Sequence, residues 1–417
     1  MRLVVAVPHF APDLAPTGDV ATRLVRELAE RDHEIDVVTS LPWYRAHAIE
    51  SGFEGRLVRH EDTPWGRITR VHPFPAADKT NLPRRAASYL GFSVLVGVMG
   101  ARAHGADGVL AMSPPLTLGI SGRLIGRIKR APFVFNVQDV YPDIAIELGY
   151  LTNERLVKMA ARLERWCYDH ADAVTVLSDD LRANVARKAR RPEKVRVIPN
   201  FVDTDAIVPS TTENSYRREF GLSGKTVVMY AGNVGLSQPL ETVLETAGAL
   251  SYEEDLVFVI NGQGAKREEL ETRARGLDNV VFVDMQPAAR LSEVLAAADV
   301  HLVPLKRGLA ASSVPSKTYS IMAAGRPFVA SVDPGSEIAR LVERSGAGIA
   351  VPAEDAEALT KAVKALVEAP VEREGMGAAA RSFVEGWASP VAVARAYEDL
   401  FLELASHETR RPGVSHT

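Results

Sequence analysis

Thr226-Val227-Val228-Met229-Tyr230 is a short apolar run that breaks into Gly232-Asn233-Val234-Gly235-Leu236-Ser237-Gln238-Pro239, and a helical pattern starts near Leu240. An apolar run of this length that ends on glycines and enters a helix is the unit of a parallel sheet covered on both faces. The unit recurs. Leu256-Val257-Phe258-Val259-Ile260 ends in Asn261-Gly262-Gln263-Gly264, and Val280–Val283, Val300–Val303 and Phe328–Ala330 are further apolar runs between helical stretches. Upstream, the same alternation predicts strands at 2–7, 34–39, 109–112, 133–137, 173–177 and 195–198. A helix is expected over Thr22–Arg31, with Leu24, Val25 and Leu28 on one stripe. A polar stretch from Pro199 to about Asn214 separates the two series. The expected fold is therefore α/β, with two doubly wound parallel sheets in tandem. Ligand is expected beyond the carboxyl ends of the strands, in a cleft between the domains. A length of 417 residues also exceeds one ordinary core.

Composition narrows the function classes. The hydrophobic share of 46% and charged share of 24% are those of a soluble globular chain. Lys+Arg 49 against Asp+Glu 53 leaves a net charge of −4, without a basic tail or stripe, so nucleic acid is not an expected partner. A single cysteine, Cys167, excludes an internal disulfide and a Cys-rich zinc site; between Trp166 and Tyr168 it reads as a packed thiol. The first residues begin a strand and lack the apolar core and cleavage site of a signal peptide, which predicts a cytoplasmic protein. Ala86 to Gly100 reads AASYLGFSVLVGVMG, flanked by Arg84-Arg85 and Arg102. It is shorter than the ~20 apolar residues that span a bilayer. Two readings stay open for it. One is a buried helix; the other is an element on the membrane surface, which would make the protein peripheral at the cytoplasmic face of the membrane.

Three turns carry candidate chemistry. Ser312-Ser313-Val314-Pro315-Ser316-Lys317 runs into a helical stretch, Thr318 to Ala324, that stops at Gly325-Arg326-Pro327. Small polar residues and a proline at a helix start leave backbone N–H groups pointing outward, a seat for phosphate. Lys317 in the first turn opposes the macrodipole and costs about a few tenths of a kcal/mol unless an anion lies against it. The glycine turns at Gly232–Gly235 and Gly262–Gly264 are expected on the same rim, and the three together can surround a nucleotide diphosphate. In the loop His9 to Gly18, Thr17 and Gly18 at a helix start allow a ligand close to the backbone. The loop lacks Gly-x-Gly-x-x-Gly, so a nicotinamide dinucleotide is not expected. No HExxH, Gly-x-Ser-x-Gly or Walker pattern occurs. Ser178-Asp179-Asp180 and Asp139-Val140-Tyr141-Pro142-Asp143 are acidic, but a helix cap and a loop turn account for them, so no metal is expected.

Val4-Val5-Ala6-Val7-Pro8, His33 to Thr39, Ser113-Pro114-Pro115-Leu116, Val137 to Asp143, Val197 to Asp203, Gly232-Asn233-Val234-Gly235 and Pro315 to Tyr319 occur in order over nearly the whole chain. Together they resemble the GT-B glycosyltransferases of retaining family 4, within it the branch of fucosamine-type transferases of surface polysaccharide biosynthesis. The resemblance implies an acceptor-binding Rossmann-like domain over 1–200 and a nucleotide-sugar-binding one over 201–387. It also implies that a crossover helix over 388–405 packs on the first domain; the polar tail after it, 406–417, is expected to be disordered. The donor implied is a nucleotide diphosphate sugar, with no other cofactor, and the acceptor an envelope or lipid-linked glycan. Two family glutamates eight positions apart are here Ser312 and Ser320, and a serine cannot hold a ribose as a carboxylate does. The cations that follow the family's glycine turn are here Asn233 and Gln238, and the catalytic-domain histidine is Gln138. Lys317 then stands as the relocated diphosphate cation, with Arg326 as a second, and Asp139 either orients the sugar or acceptor or serves its loop. Backbone N–H groups of Ser312, Ser313, Val314 and Ser316 and those near Gly235 would share the leaving-group charge. The reaction implied is retaining and metal-independent, with the leaving phosphate helping to deprotonate the acceptor. The lost glutamates leave two alternatives: a catalytically impaired nucleotide-sugar-binding partner of a glycan assembly complex, and a nucleotide-sugar epimerase.

Overall fold

The computed structural model describes residues 1–13, 15–44, 48–75, 82–143, 146, 151–309 and 317–409. Among them the apolar runs form strands in two separate sheets. The first holds β1 (Arg2–Ala6), β2 (Glu34–Ser40), β3 (Val58–Thr63), β4 (Gly66–Val71), β5 (Gly108–Ser113), β6 (Phe133–Val137), β7 (Ala173–Val176) and β8 (Val195–Val197). Their order is β3-β4-β2-β1-β5-β6-β7-β8, parallel throughout except for the antiparallel β3–β4 pair. The second sheet holds β9 (Thr226–Ala231), β10 (Leu256–Asn261), β11 (Val280–Val283), β12 (Val300–Pro304), β13 (Phe328–Val332) and β14 (Gly348–Pro352). It is all parallel, in the order β11-β10-β9-β12-β13-β14. That is the doubly wound order, and it reverses between β9 and β12, where such folds bind ligands.

The chain divides into two compact units, Met1–Asn200 with Val393–Thr417, and Phe201–Ala392. The last helix, Pro390–Thr409, completes the first unit, burying Val393, Tyr397, Leu400 and Phe401. Gly108 makes room for it, since a Cβ there would lie 2.5 Å from a Phe401 ring carbon. Arg31 and His33 both meet Glu398 of that helix, His33 at 3.2 Å. The helix runs past the expected end at 405.

Three elements depart from the sequence reading. The first helix is Pro16–Glu30, beginning well before Thr22, because Pro16 at its first position has its φ preset for a helix. The β3–β4 hairpin and β14 were not expected. β3 reads Val-Arg-His-Glu-Asp-Thr and lies at a sheet edge, where only one neighbour has to be satisfied. β14 is the other sheet's edge, with only Phe328–Val332 beside it.

Three helices of the first unit pack side by side: Leu82–Gly100 against Leu118–Lys129, and the latter against Glu154–His170. Ser121 Oγ donates to the Ser93 carbonyl at 2.7 Å, tying the first two together. A Cβ on Gly119 would lie 2.5 Å from Cys167 Sγ, and one on Gly122 would lie 2.2 Å from the Phe133 ring, so the helices sit close to each other and to the sheet. Cys167 is buried, and burial pushes its thiol up to about 12, as suits an inert packed thiol. The 86–100 segment is a helix with one buried side and one exposed side. Phe92 and Val96 face the core, whereas Leu90, Val94 and Val98 face outward, next to an outward row of Ile120, Leu124 and Ile128. No helix among the described residues is long and apolar enough to cross a membrane.

Candidate functional site

The glycine turns of the second unit lie at the carboxyl ends of β9 and β10. Gly232 N–H donates to the Asn261 carbonyl and Val234 N–H to the Gln263 carbonyl, both at 2.9 Å, so strand pairing continues past the sheet. This contact leaves no space for side chains. A Cβ on Gly262 would lie 1.8 Å from the Gly232 oxygen, and one on Gly264 2.2 Å from the Val234 oxygen. Gly262 and Gly264 therefore serve backbone packing. Arg267, which sequence reading did not single out, pins the same turn by donating to the Val283 carbonyl at 2.9 Å and to the Gly262 carbonyl.

Lys317 opens the short helix Lys317–Ala323 and reaches the end of β9. Its Nζ donates to Tyr230 Oη at 2.8 Å and stands 4.1 Å from the centre of that ring, a hydrogen bond and a cation–π contact to one residue. Tyr230 Oη in turn donates to the Asn233 carbonyl at 2.5 Å. Gly232 gives the ammonium its space, because a Cβ there would come within 3.0 Å of Nζ. No carboxylate meets Lys317 among the described residues, and burial alone lowers its pKa to about 8. Around Gly235 the side chains of Asn233 and Gln238 converge, and the buried Gln238 Oε1 accepts no hydrogen bond. An ammonium without an anion and a carbonyl without a donor thus lie beside the β9–β12 reversal. Such a cluster can hold an anion against Lys317 and a hydroxyl or N–H group against Gln238.

The other expected residues scatter. Ser320 is half-buried on the Lys317 helix, one turn on. Ser312, Ser313, Val314 and Ser316 lie outside the described residues. Arg326 is not brought to Lys317: it follows the far end of that helix, just before β13, where it donates to the Ser210 carbonyl. Gln138 lies in the other unit. It is buried, donates to Asn136 Oδ1 at 2.7 Å and accepts from Asn200 Nδ2 at 2.8 Å. Asn136 donates on to Tyr397 Oη at 2.9 Å, so Gln138 belongs to a polar network that anchors the last helix. Its amide donates one hydrogen bond and accepts one within that network.

Asp139 is exposed after β6, with no partner among the described residues. Asp143 is held at 2.8 Å by Lys188, and Ser178 caps its helix by accepting from Leu181 N–H, so both acidic motifs have structural roles. Among the described residues no group of three or more His, Cys, Asp or Glu is arranged to hold a metal. Gly18 is the third residue of its helix, with Thr17 before it, and a Cβ there would lie 2.9 Å from the His9 Cβ. That closeness exposes a pair the sequence reading missed. His9 Nδ1 is 2.7 Å from the buried Asp13 Oδ2, and Asp13 Oδ1 accepts from Tyr44 N–H at 3.0 Å. Tyr230 was also missed, although a polar-tipped aromatic closing an apolar strand before a glycine is a legible signal.

Comparison with known proteins agrees with this architecture. Residues 17–200 match the family described as Glycosyl transferase 4-like domain, and residues 225–369 match Glycosyl transferases group 1. The chain is 28% identical over 376 residues to the putative colanic acid biosynthesis glycosyl transferase WcaI of Escherichia coli, covering 87% of this chain and 91% of that protein. It is 29% identical over 320 residues to the probable glycosyltransferase WbjE of Pseudomonas aeruginosa, covering 75% and 78%. HepE of Anabaena, solved in complex with UDP, shares the fold with a TM-score of 0.65 at 14% identity, over 97% of this chain and 100% of that one. With both matches in order along the chain and two doubly wound units beneath them, the protein belongs to the GT-B glycosyltransferases of family 4.

Proposed function

We propose that this glycosyltransferase takes a sugar from a nucleotide diphosphate sugar, retains its anomeric configuration, and needs no metal. Its acceptor is an envelope or lipid-linked glycan, reached from the cytoplasmic side. The observation that carries the reading is Lys317, an ammonium partly withdrawn from water, oriented by Tyr230 and left without a carboxylate. As the glycosidic bond breaks, negative charge collects on the diphosphate. A fixed cation there is worth more in the transition state than in the bound donor. It supplies the charge stabilisation a metal would otherwise give. The leaving phosphate, on the same face of the sugar, takes the acceptor proton, so no protein base is required. WcaI's name places it in colanic acid biosynthesis, and the HepE structure holds UDP; both fit this donor and acceptor class.

Lys317→Ala tests the reading. The catalytic rate should fall roughly 10²–10³-fold, the scale of one preorganised donor. The ligand-free melting temperature should hold or rise, since a partly buried charge is gone. Near-normal turnover would overturn the assignment. Turnover in EDTA should stay within about tenfold of its value with magnesium, since the ammonium does the metal's work.

The acceptor reading extends to the membrane. Leu90, Val94 and Val98 with Ile120, Leu124 and Ile128 make two adjacent outward rows at i, i+4 spacing, next to Arg123 and Arg127. Apolar rows edged by arginines suit the headgroup boundary of a bilayer. The side chains of Arg84 and Arg85 lie outside the described ones.

A further inference from the structure

The third helix of that row, Glu154–His170, has a different outward face: Arg155, Lys158, Arg162 and Arg165, spaced three and four apart. Like charges at those spacings repel, so the helix gives up stability to carry them. Between this helix and the segment after Asp179–Lys188 lies a cavity of about 380 Å³, bounded by Arg162, Arg165, Trp166, His170, Lys188 and Arg190.

The walls are held in place. Lys188 Nζ is 2.8 Å from both Asp143 and Glu164, which fix it from behind. Arg190 Nε is 3.2 Å from Asp169, whose other oxygen accepts Arg190 N–H at 2.9 Å. Trp166 and His170 stack with ring centres 4.2 Å apart, and His170 Nδ1 lies 2.8 Å from the Trp166 carbonyl oxygen. Arg162 and Arg165 meet no carboxylate among the described residues, and Arg165 has only the Ala161 carbonyl, at 3.4 Å. Asp169 is the one carboxylate on the wall, and adding Asp143 and Glu164 behind Lys188 still leaves the cluster positive.

We propose that this cavity binds a phosphate-bearing anion, at a site in the first unit distinct from the Lys317 cluster in the second. Two unpaired guanidinium groups on one helix face offer planar N–H forks that match phosphate oxygens. Lys188 and Arg190 line the opposite wall already paired with carboxylates, so the positive charge left for an anion is that of Arg162 and Arg165. The phosphate can belong to a free ligand or to an anionic lipid headgroup, and the neighbouring apolar rows make the second source accessible. The inference does not depend on the transferase chemistry.

The test uses the full chain and two probes. Pyrophosphate occupancy is read as the fluorescence change of Trp166, with Trp166→Phe as the blank, so binding at Lys317 contributes no signal. Vesicles of phosphatidylglycerol in phosphatidylcholine, against phosphatidylcholine alone, are read by co-sedimentation. Pyrophosphate should change Trp166 emission. The double variant Arg162→Gln/Arg165→Gln should weaken that binding at least tenfold, with an unchanged or higher ligand-free melting temperature. Vesicle binding that the double variant also loses, and that pyrophosphate displaces, identifies a headgroup; pyrophosphate binding alone identifies a free phosphate ligand. Should the double variant misfold, Arg165→Lys, which keeps charge but not the fork, should still weaken binding. Wild-type affinity for both probes in a folded variant would overturn the site, as would no response of the parent protein to either probe.

Discussion

An ammonium buried without a counter-charge is a proton-linked group, and Lys317 makes the end of β9 pH-sensitive. Its pKa in the folded, ligand-free protein is about 8, against an ordinary 10.5. Because the unfolded chain holds this proton more tightly, stability rises with pH between those values, and the cost of burying the charge is fully present below about 8. A diphosphate lying against Lys317 restores the proton. Nucleotide binding should therefore take up a proton above pH ~8, and affinity should fall by up to about tenfold per pH unit from there. Calorimetry of UDP and GDP in buffers of different ionisation enthalpy measures this directly; pH-independent binding would place the diphosphate elsewhere. Tyr230→Phe keeps the ring beneath Lys317 but removes the hydroxyl that joins it to Asn233, and should weaken nucleotide binding by ~1 kcal/mol. Ser320→Glu restores a carboxylate one turn from Lys317 and should tighten binding by a similar ~1 kcal/mol, read by the same titration. Lys317 was legible because a cation in a first turn breaks a local rule. The network around Gln138 was not legible because Asn200 and Tyr397, which close it, are far away in sequence.

Elements buried on both faces announce themselves, and edge elements do not. The central strands were readable as apolar runs, whereas the β3–β4 hairpin was hidden by polar alternation. Beyond its pairing with β2, one buried arginine ties it in: Arg70 bonds Glu61 across the hairpin and donates to the Ala11 carbonyl at 2.6 Å, holding the loop after β1. The Leu82–Gly100 helix shows the same limit. Its sequence is apolar all round, so only its packing tells Val96, fully buried, from Val94, which is 62% exposed. Val94→Ser with Leu124→Ser should reduce vesicle co-sedimentation severalfold and leave the melting temperature nearly unchanged. Val96→Ser should instead cost ~2–3 kcal/mol of stability, through lost packing and a buried hydroxyl. Equal stability losses for the inward and outward substitutions would show that the outer rows are covered by protein.

At the scale of the whole molecule, the first unit is discontinuous: its sheet comes from the first half of the chain and one of its covering helices from the end. Truncation before Pro390 should therefore leave the second unit protected and make β6 and β7 exchange amide hydrogens quickly, because Asn136 and Thr175 lose Tyr397. Protection of β6 and β7 unchanged by truncation would show that the helix only decorates the surface. Two doubly wound sheets were readable from the repeating strand-to-helix runs alone, since each run needs cover on both faces. The long-range hydrogen bonds that lock them were not. The discontinuity also sets a schedule for synthesis. Some 190 residues separate Asn200 from the start of the closing helix. At about 5–20 residues per second, a ribosome needs on the order of ten to forty seconds to make them. For that interval a nascent first unit holds the Asn136–Thr175 patch open to water, and to any chaperone that recognises it, until its own last helix emerges.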